Sequence, residues 1–137
     1  MTDAQRNARY RRTYGITLDE YNEQLVKQGG GCLICQSKPV TWHLAVDHDH
    51  TYKRVPITVQ KLNNKLWVAV SHYRGFDVEL TSTKKIRAIR AVRNALKRMA
   101  NRGVVCFNCN RSIRSMRNSA EFCENMAEYL RKDPIWM

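Results

Sequence analysis

The chain has 137 residues, of which 43% are hydrophobic, enough for a small core in one domain. Lys and Arg number 24 against 12 Asp and Glu, a net charge of +12 that points to nucleic acid first and an anionic surface second. The longest strongly apolar run, Leu66-Trp67-Val68-Ala69-Val70, is too short to span a membrane, and the segment MTDAQRNARYRR has no apolar stretch for a secretory signal.

That composition places the chain in a cytoplasm, where disulfides are rare, so its five cysteines call for metal, catalysis or burial. Residues 3–13 are polar, basic and free of Gly and Pro, and read as a helix or a semi-ordered arm. Residues 17–28 carry a capping box, Thr17 with Glu20, ahead of an apolar stripe of Leu18, Tyr21, Leu25 and Val26. Gly29-Gly30-Gly31 ends that helix and frees the chain to turn into Cys32-Leu33-Ile34-Cys35. Residues 40–50 look extended and finish in Asp47-His48-Asp49-His50.

Residues 55–73 read as a hairpin around Asn63-Asn64, a pair that tolerates the positive φ of a type I′ turn. A further extended piece, FDVEL, follows Gly75. Residues 82–101 form an amphipathic helix with Ile86, Ile89, Val92, Leu96 and Met99 on its apolar side, and Gly103 stops it. Lys84, Lys85, Arg87, Arg90, Arg93, Lys97 and Arg98 fill much of the rest and are the candidate DNA contacts. Cys106-Phe107-Asn108-Cys109 follows, with Asn110 directly after it. Residues 118–131 make a last helix, with Asn118 as cap and Glu121 completing the box. On this reading Phe122, Met126, Tyr129 and Leu130 point inward, Cys123 is a small buried hydrophobe, and Pro134 closes the ordered part.

Two Cys-x-x-Cys pairs can supply four thiolates to one tetrahedral metal, which suits zinc. The usual gap between such pairs is about 15–20 residues, and Cys35 and Cys106 lie far beyond it. Loop closure costs only ~0.6 kcal/mol per doubling of length, so the gap implies a folded unit between the knuckles. A closed four-thiolate shell leaves no open position, which makes this metal structural. The thioredoxin-like βαβ setting that a redox pair needs is absent.

Asp47-His48-Asp49-His50 offers what phosphodiester hydrolysis requires: a hard oxygen ligand for Mg²⁺ and a neutral imidazole to take a proton from water. A surface loop rich in Asp and His, or a second zinc site, would carry the same letters. Perfect strand alternation puts Asp47 and His48 on opposite faces, so a shared role needs a twist or a bulge at the strand end.

Together the pieces resemble the recombination endonuclease VII branch of the HNH, or ββα-metal, nucleases. The resemblance rests on YGITLDEYNEQLVKQGGGCLIC, then LAVDHDH, then VVCFNCN, and covers residues 14–50 and about 104–118. It implies an α+β fold with a zinc-stapled ββα-metal core and flanking helices, in one domain over residues 1–137. The chain departs from the family between His50 and Cys106, where relatives usually have a short stretch and this sequence holds the hairpin and the basic helix as an insertion over residues 51–103. It implies structural zinc on Cys32, Cys35, Cys106 and Cys109. Asp47 and Asn110 become ligands of a catalytic Mg²⁺, His48 the general base, and His50 an active-site histidine. DNA is the implied partner, with no membrane. Longer members form intertwined dimers, which leaves a homodimer open. Small phage genomes often encode the family, which implies a phage origin and a host cytoplasm.

The activity expected is therefore Mg²⁺-dependent DNA cleavage. A non-catalytic zinc-ribbon module binding nucleic acid is the alternative, but it has no need for Asp47, His48 and Asn110 together. An RNA-binding reading would use Trp42, Trp67 and Tyr73 as stacking platforms. Those aromatics sit in apolar stretches, which favours packing in the core.

Overall fold

The computed structural model describes residues 1–38, 40 and 43–131; Trp42 and Pro134 lie outside them. Helix α1 spans Asp3–Tyr14 and starts at a capping box, with the Thr2 hydroxyl on the Gln5 amide and the Gln5 side chain on the Thr2 amide. Helix α2 spans Leu18–Lys27 and carries the expected box of Thr17 and Glu20. Its stripe is narrower than the sequence suggests: Tyr21 is buried, whereas Val26 is exposed.

Strand β1, Ala45–His48, runs antiparallel to β5, Asn101–Val105. The segment between them, read from the sequence as an insertion, has its own core. It opens with a 3-10 turn, His50–Arg54. Strands β2 (Thr58–Lys61), β3 (Trp67–Tyr73) and β4 (Phe76–Ser82) then form an antiparallel meander, and helix α3 (Lys85–Met99) packs across it. The expected hairpin is thus a three-stranded sheet. Its tight turn is Arg74-Gly75, where φ is +52° and +83°, the signature of type I′. Asn63 and Asn64 do not take positive φ. Asn63 Oδ1 accepts from the amides of Lys65 (2.8 Å) and Leu66 (3.0 Å) and holds a wider loop.

Two apolar cores result. Tyr10, Tyr21, Cys32, Leu44, Val46, Val104 and Val105 fill the first, between α1, α2 and the β1–β5 pair. Tyr52, Ala69, Tyr73, Ala88, Val92, Leu96 and Ala100 fill the second, under α3. Val92 and Leu96 are fully buried, each contributing about 1.5–3 kcal/mol, while Ile86 at the helix start is exposed. The end of α3 also bonds the first unit: Arg98 donates to Gly15 O (2.7 Å) and to both Glu20 carboxylate oxygens (2.7 and 3.2 Å).

Gly103 does not stop α3. It lies inside β5, where a Cβ would come within 2.6 Å of Leu33 Cδ2, so its missing side chain lets the first knuckle close on the strand. Helix α4, Phe107–Ser115, follows β5 and packs against β1. Helix α5, Ala120–Arg131, buries none of its residues. Phe122, Met126, Tyr129 and Leu130 are exposed rather than inward-facing, and so is Cys123. The cap of α5 also differs from expectation: Ser119 Oγ accepts from the Phe122 amide (3.1 Å), while Asn118 sits in the left-handed region at φ +52°.

Candidate metal centre and active site

Local hydrogen bonds shape each knuckle, and β5 joins them. The Cys32 amide donates to Ser37 O (2.9 Å) and the Gln36 amide to Cys32 O (2.8 Å), which curls the first pair into a turn. The Leu33 amide then donates to Val104 O (3.0 Å). Gln28, at the end of α2, reaches the same Val104 carbonyl (2.6 Å) and Gly31 O (2.7 Å). The second pair opens α4, with Cys106 as its N-cap. As a result the four sulfurs of Cys32, Cys35, Cys106 and Cys109 lie within 4.8 Å of one another.

This cluster fits a metal. Tetrahedral thiolate bonds of about 2.3 Å require sulfur–sulfur edges of about 3.8 Å, and Cys35 Sγ and Cys106 Sγ are 3.8 Å apart. The thiols are also electrostatically unequal. The Ser37 hydroxyl and amide pull Cys35 down to about 6, while burial and the neighbouring sulfurs push Cys109 up to about 12. A cation between the four sulfurs would offset the mutual repulsion of thiolates packed this closely.

The Asp-His segment begins on β1. Asp47 pairs with Gly103 and His48 with Asn101, so the register breaks between them and Arg102 is the extra residue of a bulge on β5. Asp47 is buried and meets the bulge side chain: Arg102 Nε donates to Oδ2 (2.7 Å) and Nη2 to Oδ1 (3.1 Å). Arg102 Nη2 also donates to Asn118 Oδ1 (2.9 Å). His48 is half-buried, edge-on to Tyr14 with ring centroids 5.2 Å apart and beside His50 at 4.3 Å. Burial, and then the neighbouring His50, hold its pKa below the ordinary 6.5. His50 itself is exposed.

Asp49 serves the scaffold. It caps the 3-10 turn through the Thr51 amide (2.9 Å) and hydroxyl (2.7 Å), and it accepts the Tyr73 hydroxyl (2.9 Å) from the insertion. Its amide donates to Ala100 O (2.9 Å), which closes the base of the insertion where β1 leaves and β5 returns. Asn110 is on the second turn of α4, half-buried, on the helix that packs against β1. Among the described residues no hydrogen bond engages its side-chain amide; its backbone amide donates to Cys106 O (2.9 Å).

The family model for recombination endonuclease VII matches residues 7–132. The chain belongs to this family. No curated protein and no solved structure matches it. The match runs through the segment between the two stretches that carry the motifs, so in this recombination endonuclease VII family member most of α1, the three-stranded sheet and α3 are part of one matched region.

Two residues beside the Asp-His segment are not evident from its motif. Arg102 sits 55 residues from Asp47, after a long run of cations, and cross-strand pairing alone brings them together. Tyr14 closes α1, an element whose sequence reads as polar and basic. Of the seven basic candidates on residues 84–98, three are engaged within the fold. Arg93 Nη1 donates to Tyr52 O (2.8 Å) and Val55 O (3.1 Å), Lys97 to Arg12 O (3.0 Å), and Arg98 to Gly15 and Glu20. Lys84, Lys85, Arg87 and Arg90 are exposed, with Lys85 Nζ 5.6 Å from the Trp67 ring centroid. Of the aromatic stacking candidates, Tyr73 is buried and Trp67 half-buried against the second core.

Proposed function

We propose that this family member is a Mg²⁺-dependent DNA endonuclease that hydrolyses phosphodiester bonds with His48 as general base. One observation carries the reading: a buried carboxylate, Asp47, and a half-buried imidazole, His48, are consecutive at a register break of β1, the strand that α4 packs against. Zinc is the metal we assign to Cys32, Cys35, Cys106 and Cys109, because a closed shell of four thiolates suits it and leaves no position for substrate. The hard oxygens of Asp47 and Asn110 suit magnesium, and α4 packing on β1 puts both residues on touching elements. Bound there, Mg²⁺ would neutralise charge growing on the scissile phosphate and on the leaving oxygen.

The chain's own residues supply the rest. His48, held largely neutral by burial, takes the proton of the attacking water, and Tyr14 and His50 fix the plane of its ring. His50, exposed beside it, faces the phosphate. Lys84, Lys85, Arg87 and Arg90 contribute backbone contacts from the insertion, so affinity and chemistry lie on separate units. A plasmid-nicking assay tests the proposal: Mg²⁺ should support cleavage, and EDTA should stop it without releasing DNA. Intact plasmid at every Mg²⁺ concentration, with DNA still bound, would replace it with the zinc-ribbon binding module.

A further inference from the structure

Asp47 raises a difficulty for metal binding. Both of its oxygens already accept from Arg102, at 2.7 and 3.1 Å, and its side chain is only 9% exposed. A bidentate guanidinium covers the edge of a carboxylate that a hard cation would share, and it repels a dication placed there. Arg102 is not fixed by the strand ladder, because as the bulge residue it lies between the residues paired with Asp47 and His48. Its other hold is the exposed Asn118 amide, and its side chain is 29% exposed.

Resting on the endonuclease reading above, we infer that Arg102 is a phosphate-binding residue of the cleavage site. In the DNA-free protein it occupies Asp47, and a DNA phosphate draws it away, so DNA and the divalent cation bind cooperatively. The exchange is chemically matched. A phosphate presents the same planar pair of anionic oxygens to the guanidinium as a carboxylate, so Arg102 trades one charge-assisted pair for another. Its place beside His48 in the register puts it where a phosphate under attack would lie. Asp47, once released, is a buried carboxylate without its cation, which favours the metal. By linkage the coupling is reciprocal, and the metal strengthens DNA binding by the same factor.

The test uses zinc-loaded, full-length protein in a His48→Ala background, so that DNA stays intact. Mn²⁺ binding is followed by electron paramagnetic resonance, with and without a short duplex. The duplex should tighten Mn²⁺ binding by roughly tenfold, within the usual range of coupling between sites. Arg102→Gln should tighten Mn²⁺ binding in the absence of DNA by a similar factor, abolish most of the coupling, and weaken duplex affinity. Weaker or unchanged DNA-free Mn²⁺ binding in Arg102→Gln overturns the inference, because an arginine that only orients Asp47 would be missed. Asn118→Ala, which loosens Arg102 without leaving Asp47 unpaired, serves if Arg102→Gln loses zinc. It should shift Mn²⁺ affinity in the same direction by a smaller factor, and the opposite sign also overturns the inference. Asp47→Asn separates the two levels. Mn²⁺ affinity unchanged by that substitution would show that the ion does not use Asp47, and the endonuclease reading would fall with the inference.

Discussion

Replacing Cys106 by Ser should unfold the first core and leave the second standing. Serine is a preferred helix cap, so it can keep the role of Cys106 Sγ, which accepts from the Cys109 amide at 3.4 Å. What it removes is one thiolate ligand. Cys35 and Cys106 are separated by 71 positions, and a cross-link closing a loop of that length removes about 4.4 kcal/mol of chain entropy from the unfolded state. Direct metal binding at such a site is on the order of 10 kcal/mol. A small domain has only about 5–15 kcal/mol of net stability, so the staple decides whether the first core persists. The second core, from Tyr52 to Ala100, includes none of the cysteines.

Hydrogen exchange read by mass spectrometry distinguishes the two regions. In Cys106→Ser, or in wild type after chelation, amides of α2, β1, β5 and α4 should lose protection while β3 and α3 keep theirs. Native mass spectrometry should show one zinc per wild-type chain and none in the variant. A Cys106→Ser protein that retains its metal and its melting temperature would refute the assignment of the cluster. Uniform loss of protection would refute the independence of the two cores, and would mean that the Arg98–Glu20 and Tyr73–Asp49 bonds fuse them into one cooperative unit.

His48→Ala should lower cleavage by about 10²–10⁴ while leaving zinc content and duplex affinity intact, whereas His50→Ala should cost less; a dead His50→Ala beside an active His48→Ala would show that the base is misassigned. Replacing Lys84, Arg87 and Arg90 together should flatten the salt dependence of DNA binding by about 0.9 log units per lost contact, and an unchanged slope would leave these side chains solvated. Glu20 is held at about 2, below the ordinary 4.5, first by Arg98 and then by the Thr17 amide. Its contribution is therefore present above about pH 4.5 and is lost as pH falls toward 2. Allowing for solvent screening of this partly exposed pair, it amounts to about 1 kcal/mol. Acid unfolding of wild type and Glu20→Gln should converge over that window, and a difference independent of pH would refute the ion-pair account.

What the letters reveal depends on the range of the cause. The cap of α2 and the two knuckles follow from residues a few positions apart, and they are legible. The basic helix reads almost correctly, since residues 82–101 contain Lys85–Met99. Where the cause is distant, the same rules mislead. Gly103 looks like a helix stop, yet it is a strand glycine that makes room for Leu33. The periodicity of α5 identifies an apolar side but not whether another element covers it, and none of its residues is buried. The Asp-His motif and Asn110 stand out because their neighbours are sequence neighbours. The partner of Asp47 does not, because it is defined by register. Moving β5 by one residue would pair Asp47 with a residue other than Gly103, carry the bulge away from it and return Arg102 to the ranks of surface cations. The bulge at the Asp47–His48 step is therefore what selects Arg102, and no local pattern in either strand encodes that selection.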